Sequence, residues 1–264
     1  MKFKEIFYRT PLYFAGINDN QEIIKFLLSD ERIQIGSRCF KECYKLTEIS
    51  IPPFINSIGA FAFYDCSSLK QISIPSSITS IEEGVFRRCK SLTKITIPSS
   101  VKSIGKGAFY ECESLSNVTI PSSVTFIDEC AFNGCFSLKE IKIPSSITII
   151  KEGTFRRCTS LIQVSLPSSI VTIESYAFNM CRSLKEIVIP SSVTFIGFNA
   201  FSLCSSLVKI TIPSSVITLG SGCFDGCISL DKKSIPKSLI EDQSQLYDQC
   251  LSIPEIIISS SILI

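Results

Sequence analysis

Apolar residues recur along this chain at offsets that repeat every 23 residues. Each copy reads Leu-x-x-Ile-x-Ile-Pro, then Ser-Ser and Ile-x-x-Ile, then Ala-Phe-x-x-Cys, and the copy at Leu69 shows the first of these patterns clearly. A fixed period of this length is the mark of a solenoid, in which each repeat stacks on the next. The register has no insertion or deletion, as the final cysteine of successive copies shows: Cys43, Cys66, Cys89, Cys112, Cys135, Cys158, Cys181, Cys204, Cys227 and Cys250.

Each repeat predicts three segments. The Ile-x-Ile alternation at 72–74 has the period of a strand with one buried face. Pro75 follows at once and cannot donate to a sheet, so the strand should be short. The two serines predict a turn in which they bond nearby backbone, ahead of a second extended stretch. The Ala-Phe-x-x-Cys segment predicts a tight turn or a 3₁₀ segment that places the aromatic ring in the core.

Residues 1–35 precede the clear repeats and have two interpretations. An Asn-Asp-Asn motif at 18–20, ahead of an amphipathic run, predicts a capping helix over Asn20–Leu28. Alternatively the segment is a degenerate repeat, because subtracting one period from four core positions gives Ile23, Phe26, Leu28 and Ile35. Either way it should cover the open apolar end of the stack formed by residues 36–264, about ten repeats of which the last is incomplete.

Composition narrows the class of protein. The net charge of +2 is spread over all repeats, so the sequence lacks the basic stripe of a nucleic-acid binder. Hydrophobic residues make up 45% of the chain but stand at isolated positions, and no run approaches the roughly 18 apolar residues of a membrane helix. Charged residues interrupt Met1–Phe14, unlike a secretory signal, and the sequence as it stands predicts a cytoplasmic protein.

The sequence offers little for catalysis. Most of the 13 cysteines follow the period, which favours small, buried, reduced core residues. Metal binding is disfavoured because the cysteine series has no CxxC pair and the chain has no histidine, which also excludes Ser-His-Asp and Cys-His arrangements. The carboxylate pairs Glu82-Glu83 and Glu241-Asp242 lie at exposed positions. We therefore predict a protein that is not an enzyme and needs no cofactor or metal.

The combination Ser-Leu-x-x-Ile-x-Ile-Pro-Ser-Ser-Val-x-x-Ile-Gly-x-x-Ala-Phe-x-x-Cys resembles the BspA-like type of leucine-rich repeat, found in bacterial and protist surface antigens. The resemblance covers roughly residues 36–264. It implies an α/β-type curved leucine-rich-repeat solenoid of short parallel strands, turns and 3₁₀ segments, with little helix. It also implies the cell surface as an alternative location, since some members are adhesins that bind host extracellular proteins such as fibronectin. It carries no catalytic motif.

The face of the predicted sheet is the first candidate site for a protein partner. Residues beside the inward isoleucines point outward and vary in charge from repeat to repeat. Ten rungs at a spacing of about 4.8 Å make a face roughly 45 Å long, large enough for an interface of about 800 Å² per partner. The central candidates are Gln71, Lys94, Glu140, Lys142 and Gln163.

Two further features suggest interactions. Arg87 and Arg156, each just before a periodic cysteine and three repeats apart, could bind an acidic partner. The apolar tail, with Ile256–Ile258 and Ile262–Ile264, suggests self-association through the C-terminal end. The alternative to a recognition module is therefore a structural or self-associating scaffold protein.

Overall fold

Two short helices precede the repeats in the computed structural model, which describes residues 10–231. α1 spans Pro11–Ile17 and α2 spans Gln21–Leu28. Thr10 caps α1, and the Asn20 side chain caps α2 by accepting a hydrogen bond from the backbone N–H of Ile23 at 3.1 Å. The capping helix is thus the interpretation that the structure supports over this stretch.

Burial explains why the degenerate repeat does not form here. The repeat would bury Ile23 and Phe26, but these side chains are 46% and 76% exposed. The helical period instead buries Ile24 and Leu28 against the first repeat. Repeat-like pairing begins at Ile35, which forms an isolated parallel bridge with Ile58.

The repeat that begins the sheet contributes one short strand, and each of the seven repeats after it contributes two. The first set has three residues per strand, and the central side chain is buried between two exposed ones in all but one strand, where it is partly buried. This set is β1 (Glu48–Ser50), β2 (Gln71–Ser73), β4 (Lys94–Thr96), β6 (Asn117–Thr119), β8 (Glu140–Lys142), β10 (Gln163–Ser165), β12 (Glu186–Val188) and β14 (Lys209–Thr211). We call its exposed side the strand face.

The second set has two residues per strand and lies after the Ser-Ser turn. It comprises β3 (Ser80–Ile81), β5 (Ser103–Ile104), β7 (Phe126–Ile127), β9 (Ile149–Ile150), β11 (Thr172–Ile173), β13 (Phe195–Ile196) and β15 (Thr218–Leu219). Its last residue is buried in every strand. We call its exposed side the second face.

All strand pairing is parallel and in register with the repeat, so that Ile72 pairs with Ile95 and Ile95 with Val118. The inward residues of the first set, from Ile49 to Ile210, form one buried column, although its member Val164 is only partly buried. The sheets are less continuous than predicted. Pairing in the first set runs β1-β2-β4-β6 and resumes as β8-β10 and β12-β14, and in the second set it is interrupted between β7 and β9.

The turns hold the stack together across these interruptions. In the turn segment, backbone N–H groups alternate between the same repeat and the next: Cys89 donates to the Phe86 carbonyl at 3.0 Å, whereas Arg88 donates to the Tyr110 carbonyl at 2.7 Å. The geometry is that of tight turns, with a positive φ at Gly84 (59°) and at Arg88 (64°), as a type II turn requires. Where β6 and β8 do not pair, Phe132 still donates to Thr154 at 2.9 Å.

Side chains reinforce the same contacts. The phenylalanines from Phe40 to Phe224 stack with ring centroids 5.2–6.0 Å apart and ring planes within 15° of parallel. The second serine of each Pro-Ser-Ser donates to the preceding repeat, as when the Ser100 hydroxyl bonds the Ile78 carbonyl at 2.6 Å. The expectation that these serines bond nearby backbone is wrong for this hydroxyl, because its acceptor lies 22 residues away.

Truncating the buried column tests the packing. Ile141→Ala should lower the free energy of unfolding by about 2–5 kcal/mol, because it removes buried methylene groups and leaves a cavity between two repeats. Ile141 is 3% exposed, whereas Ile162 is 48% exposed. The control Ile162→Ala should therefore cost no more than about 0.5 kcal/mol. Urea denaturation measures both, and equal losses in the two variants would contradict the assigned burial.

Candidate functional site

The strand face carries all five residues predicted for it. Gln71, Lys94, Glu140, Lys142 and Gln163 are exposed, and the isoleucine or valine beside each points into the core. This arrangement follows from the two-residue alternation of a strand. The structure divides these residues between two grooves.

The first groove lies at the N-terminal end and has a volume of about 500 Å³. Gln71 and Lys94 are partners in neighbouring strands and line it together with Lys25 from α2 and Glu48 from β1. The Gln21 side chain positions α2 by donating to the Glu48 carbonyl at 3.1 Å. The helix therefore forms one wall of a groove that a simple stack of repeats would not have.

The second groove, of about 950 Å³, lies in the central repeats. Glu140, Lys142 and Gln163 line it with Asn117 and Thr119. It spans the place where pairing between β6 and β8 stops. No sequence signal marked this place, because the repeat pattern passes through it unchanged.

The charges of the strand face are available to a partner. Within the described part of the chain, Lys94, Glu140 and Lys142 take part in no salt bridge. Lys25 has one contact, with the Glu22 carboxylate at 3.9 Å, between two strongly exposed groups. Exposed pairs of this kind contribute little, so a partner could replace them at low cost.

The two predicted arginines lie elsewhere, on the turns, and are held by their own chain. The Arg87 guanidinium lies 4.3 Å from the centre of the Tyr110 ring. Arg156 stacks on Tyr176 at 5.1 Å, and its Nε donates to the Asn179 side chain at 3.2 Å. Such cation–π contacts hold each guanidinium group against the surface of the same protein. The structure does not bring these arginines together with the strand-face residues.

The cysteine series has a structural environment rather than a reactive one. The periodic thiols from Cys66 to Cys227 each donate to the phenylalanine carbonyl of the preceding repeat, as Cys112 does to Phe86 at 3.1 Å. Burial raises the pKa of the Cys112 thiol well above its usual value, and raises that of Cys39 to about 12. Reactive cysteines have depressed pKa values, so these are poor nucleophiles.

The described residues also bear on metal binding and on membrane insertion. Within residues 10–231, no group of three or more acidic or cysteine side chains is arranged to hold a metal ion. In the same range, neither helix is long and apolar enough to cross a membrane. The pair Glu241-Asp242 and the apolar tail proposed for self-association lie outside the described residues.

Comparison with known protein families shows which family the chain belongs to. The sequence matches the model of the BspA type leucine rich repeat region over residues 15–135, 80–208 and 172–264, which together span nearly the whole chain. The chain belongs to the BspA-type leucine-rich repeat family. Repeats of this family are interaction modules in general and are typically non-enzymatic.

Two of three similar solved structures, those with TM-scores above 0.5, agree with the parallel β-solenoid. The BspA-type chain is 27% identical to a leucine rich repeat protein of T. pallidum, covering 81% of this chain and 87% of that one with a TM-score of 0.57. It is 31% identical to a leucine rich cell surface protein of Faecalibacterium prausnitzii A2-165, covering 75% and 69% with a TM-score of 0.48. The pneumococcal vaccine antigen PcpA shares the fold at 22% identity, covering 81% and 69% with a TM-score of 0.51. No curated protein matches the sequence significantly.

The thiols of this BspA-type protein should make its stability fall at alkaline pH. A thiol in the unfolded chain loses its proton near pH 8.5. The same thiol, buried in the folded protein, still holds its proton at this pH. The folded state therefore binds more protons, and the free energy of unfolding should fall by about 1.4 kcal/mol per pH unit for each buried thiol. Cys112→Ala should reduce the slope between about pH 9.5 and 10.5 by about one proton, whatever its effect on absolute stability.

Counting thiols is the companion measurement. Few of the 13 cysteines should react with a thiol reagent in the native protein, and all of them after denaturation. Recovery of five or six disulfides would contradict the reduced state and place the protein in an oxidising compartment.

Proposed function

We propose that the chain is a non-enzymatic recognition module that binds a protein partner along its strand face. The observation that carries this proposal is the combination of unpaired charges and two grooves on the same face. Lys94 lies in the first groove, and Glu140 and Lys142 lie in the second. The buried side chains beneath them hardly change from repeat to repeat, so the face can present a specific pattern on a constant frame.

The chemistry of the face sets the kind of binding. Eight strands at about 4.8 Å per rung make it roughly 35 Å long. It is poor in tyrosine, tryptophan and arginine, the residues that dominate compact interfaces. Affinity should therefore come from contacts spread over several repeats, with charged residues affecting the association rate and the choice of partner.

The similar proteins suggest whether the partner lies outside or inside the cell. The F. prausnitzii relative is described as a cell surface protein, and PcpA as a vaccine antigen. They favour an adhesion-type role outside the cell, and a partner inside the cell is the alternative. Capture with the intact chain should therefore be compared between host extracellular matrix proteins and the cytosol of the protein's own cell.

The double variant Lys94→Glu with Lys142→Glu tests the face itself. It should slow association with the captured partner and change the salt dependence, because it reverses two exposed charges on the strand face. The melting temperature should not change, since neither lysine takes part in a described salt bridge. Surface plasmon resonance at several salt concentrations gives the rates.

The matched control is Lys45→Glu with Lys102→Glu, which makes the same change in net charge at exposed positions off the strand face. Equal slowing in both double variants would mean that only net charge matters. Binding that survives the strand-face variant but is lost in Arg87→Ala with Arg156→Ala would place the site on the turns and overturn the proposal.

A further inference from the structure

Two Arg-Arg pairs occupy equivalent positions on the turns, three repeats apart. Their second members are Arg88 and Arg157, and the backbone is alike at both. The φ angles are 64° and 62°, and each N–H donates to a carbonyl of the next repeat at 2.7 Å. Because the backbone is the same, a difference between the two sites comes from the neighbouring side chains.

Carboxylates of the same chain neutralise Arg88. Its guanidinium lies 3.7 Å from the Asp65 carboxylate of the preceding repeat and 3.6 Å from the Glu111 carboxylate of the next. On the same surface, the Lys90 ammonium lies 2.9 Å from the Glu113 carboxylate. An arginine at this position of the turn therefore has a geometry that suits carboxylate groups on the adjacent rungs.

The second site lacks these carboxylates. The residues one repeat before and after Arg157 are Gly134 and Met180, and the residue equivalent to Glu113 is Arg182. Met180 lies between the two arginines, since its carbonyl accepts from the Arg182 N–H at 2.9 Å. Both arginines are exposed, and among the residues that the structure describes neither has a carboxylate within salt-bridge distance.

Neutral groups hold the cationic side chains in place and leave their charge. The Arg157 guanidinium lies 5.7 Å from the centre of the Phe136 ring. Beside it, the Nε of Arg156 donates to the Asn179 amide oxygen at 3.2 Å. Asn179 is itself buried and donates to the Ser202 carbonyl at 3.1 Å, so its position is fixed. Cations that are already ordered lose less side-chain freedom when an anion binds.

We propose that Arg157 and Arg182, together with Arg156, form a binding site for an acidic peptide segment of a partner protein. The ligand chemistry is that of the equivalent site, where aspartate and glutamate side chains of the same chain contact Arg88. A partner's carboxylates would take the places that Gly134 and Met180 leave without charge.

The surroundings favour a peptide over a nucleic acid. After Met180, the next residue along the stack in line with Arg157 is Leu203, which is 43% exposed. A nucleic acid gains affinity from a run of cations along its phosphates. A peptide can instead place an apolar side chain on Leu203 beside its carboxylates.

Fluorescence anisotropy with the full chain tests the site. The probe is a labelled peptide of four glutamates around one leucine, and its glutamine counterpart is the uncharged control. The wild-type protein should bind the glutamate peptide alone, more weakly as salt rises. Arg157→Glu with Arg182→Glu should weaken binding by about tenfold or more, because repulsion replaces attraction.

The matched charge control is Lys45→Glu with Lys102→Glu, at exposed lysines. It makes the same change in net charge more than two repeats from Arg157, or beyond about 10 Å at strand spacing. Salt screens exposed charges over such distances, so peptide binding should hardly change.

Met180→Glu gives an independent readout. Glutamate here reproduces Glu111, which has a positive φ of 55° where Met180 has 63°, so the turn can accept it. The new carboxylate should pair with Arg157 and weaken peptide binding by about tenfold without lowering the melting temperature. Met180→Gln has a similar size and no charge, and it should keep the wild-type affinity.

Three results would overturn the proposal: no binding of the glutamate peptide to the wild-type protein, unchanged binding in Arg157→Glu with Arg182→Glu, or equal losses in Met180→Glu and Met180→Gln. A labelled ten-nucleotide oligothymidylate that binds more tightly than the peptide would assign the arginines to nucleic acid instead. Lys94→Glu with Lys142→Glu, which tests the strand face, should leave peptide binding unchanged. The proposals for the two surfaces can therefore fail independently.

Discussion

The hydrogen bonds between successive turns are the constraint on which the rest of the structure depends. They require each repeat to present the same alternation of N–H and carbonyl groups at the same height, so no insertion can be accommodated. Two residues per turn must adopt positive φ, which glycine does most readily, yet Arg88 and Glu111 occupy such positions. Non-glycine residues are held there because the bonds on both sides, and the stacked phenylalanines beneath, fix the turn.

This constraint separates positions that carry the fold from positions that are free to vary. The buried thiol of Cys112 and the hydroxyl of Ser100 both donate to carbonyl groups of the preceding repeat, so they belong to the frame. The outward residues of the strands make no such contact. Their charge can therefore change from one repeat to the next without a cost to the stack, which is what a recognition surface needs.

Much of the fold could be predicted because the period places each side chain independently of its neighbours. Ile141 is buried and Lys142 exposed for the same reason in every repeat. The helix at Gln21–Leu28 was one of two interpretations that the sequence allowed, because its apolar residues fit both a helix and a degenerate repeat. The interruption between β6 and β8, which shapes the central groove, could not be predicted, since small differences in how repeats stack leave no trace in the pattern. The exposure of Phe126 and Phe195 was not predicted, because the pattern within one repeat gives no reason to compare outward residues across repeats.

The two faces have opposite chemistry, and this difference sets how the strand face can bind. The strand face is polar and grooved, so binding there should be weak at each repeat and selective in charge. The second face is apolar over part of its length, where Phe126, Ile149 and Phe195 are exposed. Once a partner is held at one repeat of the strand face, its contacts with the next repeats are intramolecular, so a face that binds weakly at each repeat can still support strong attachment.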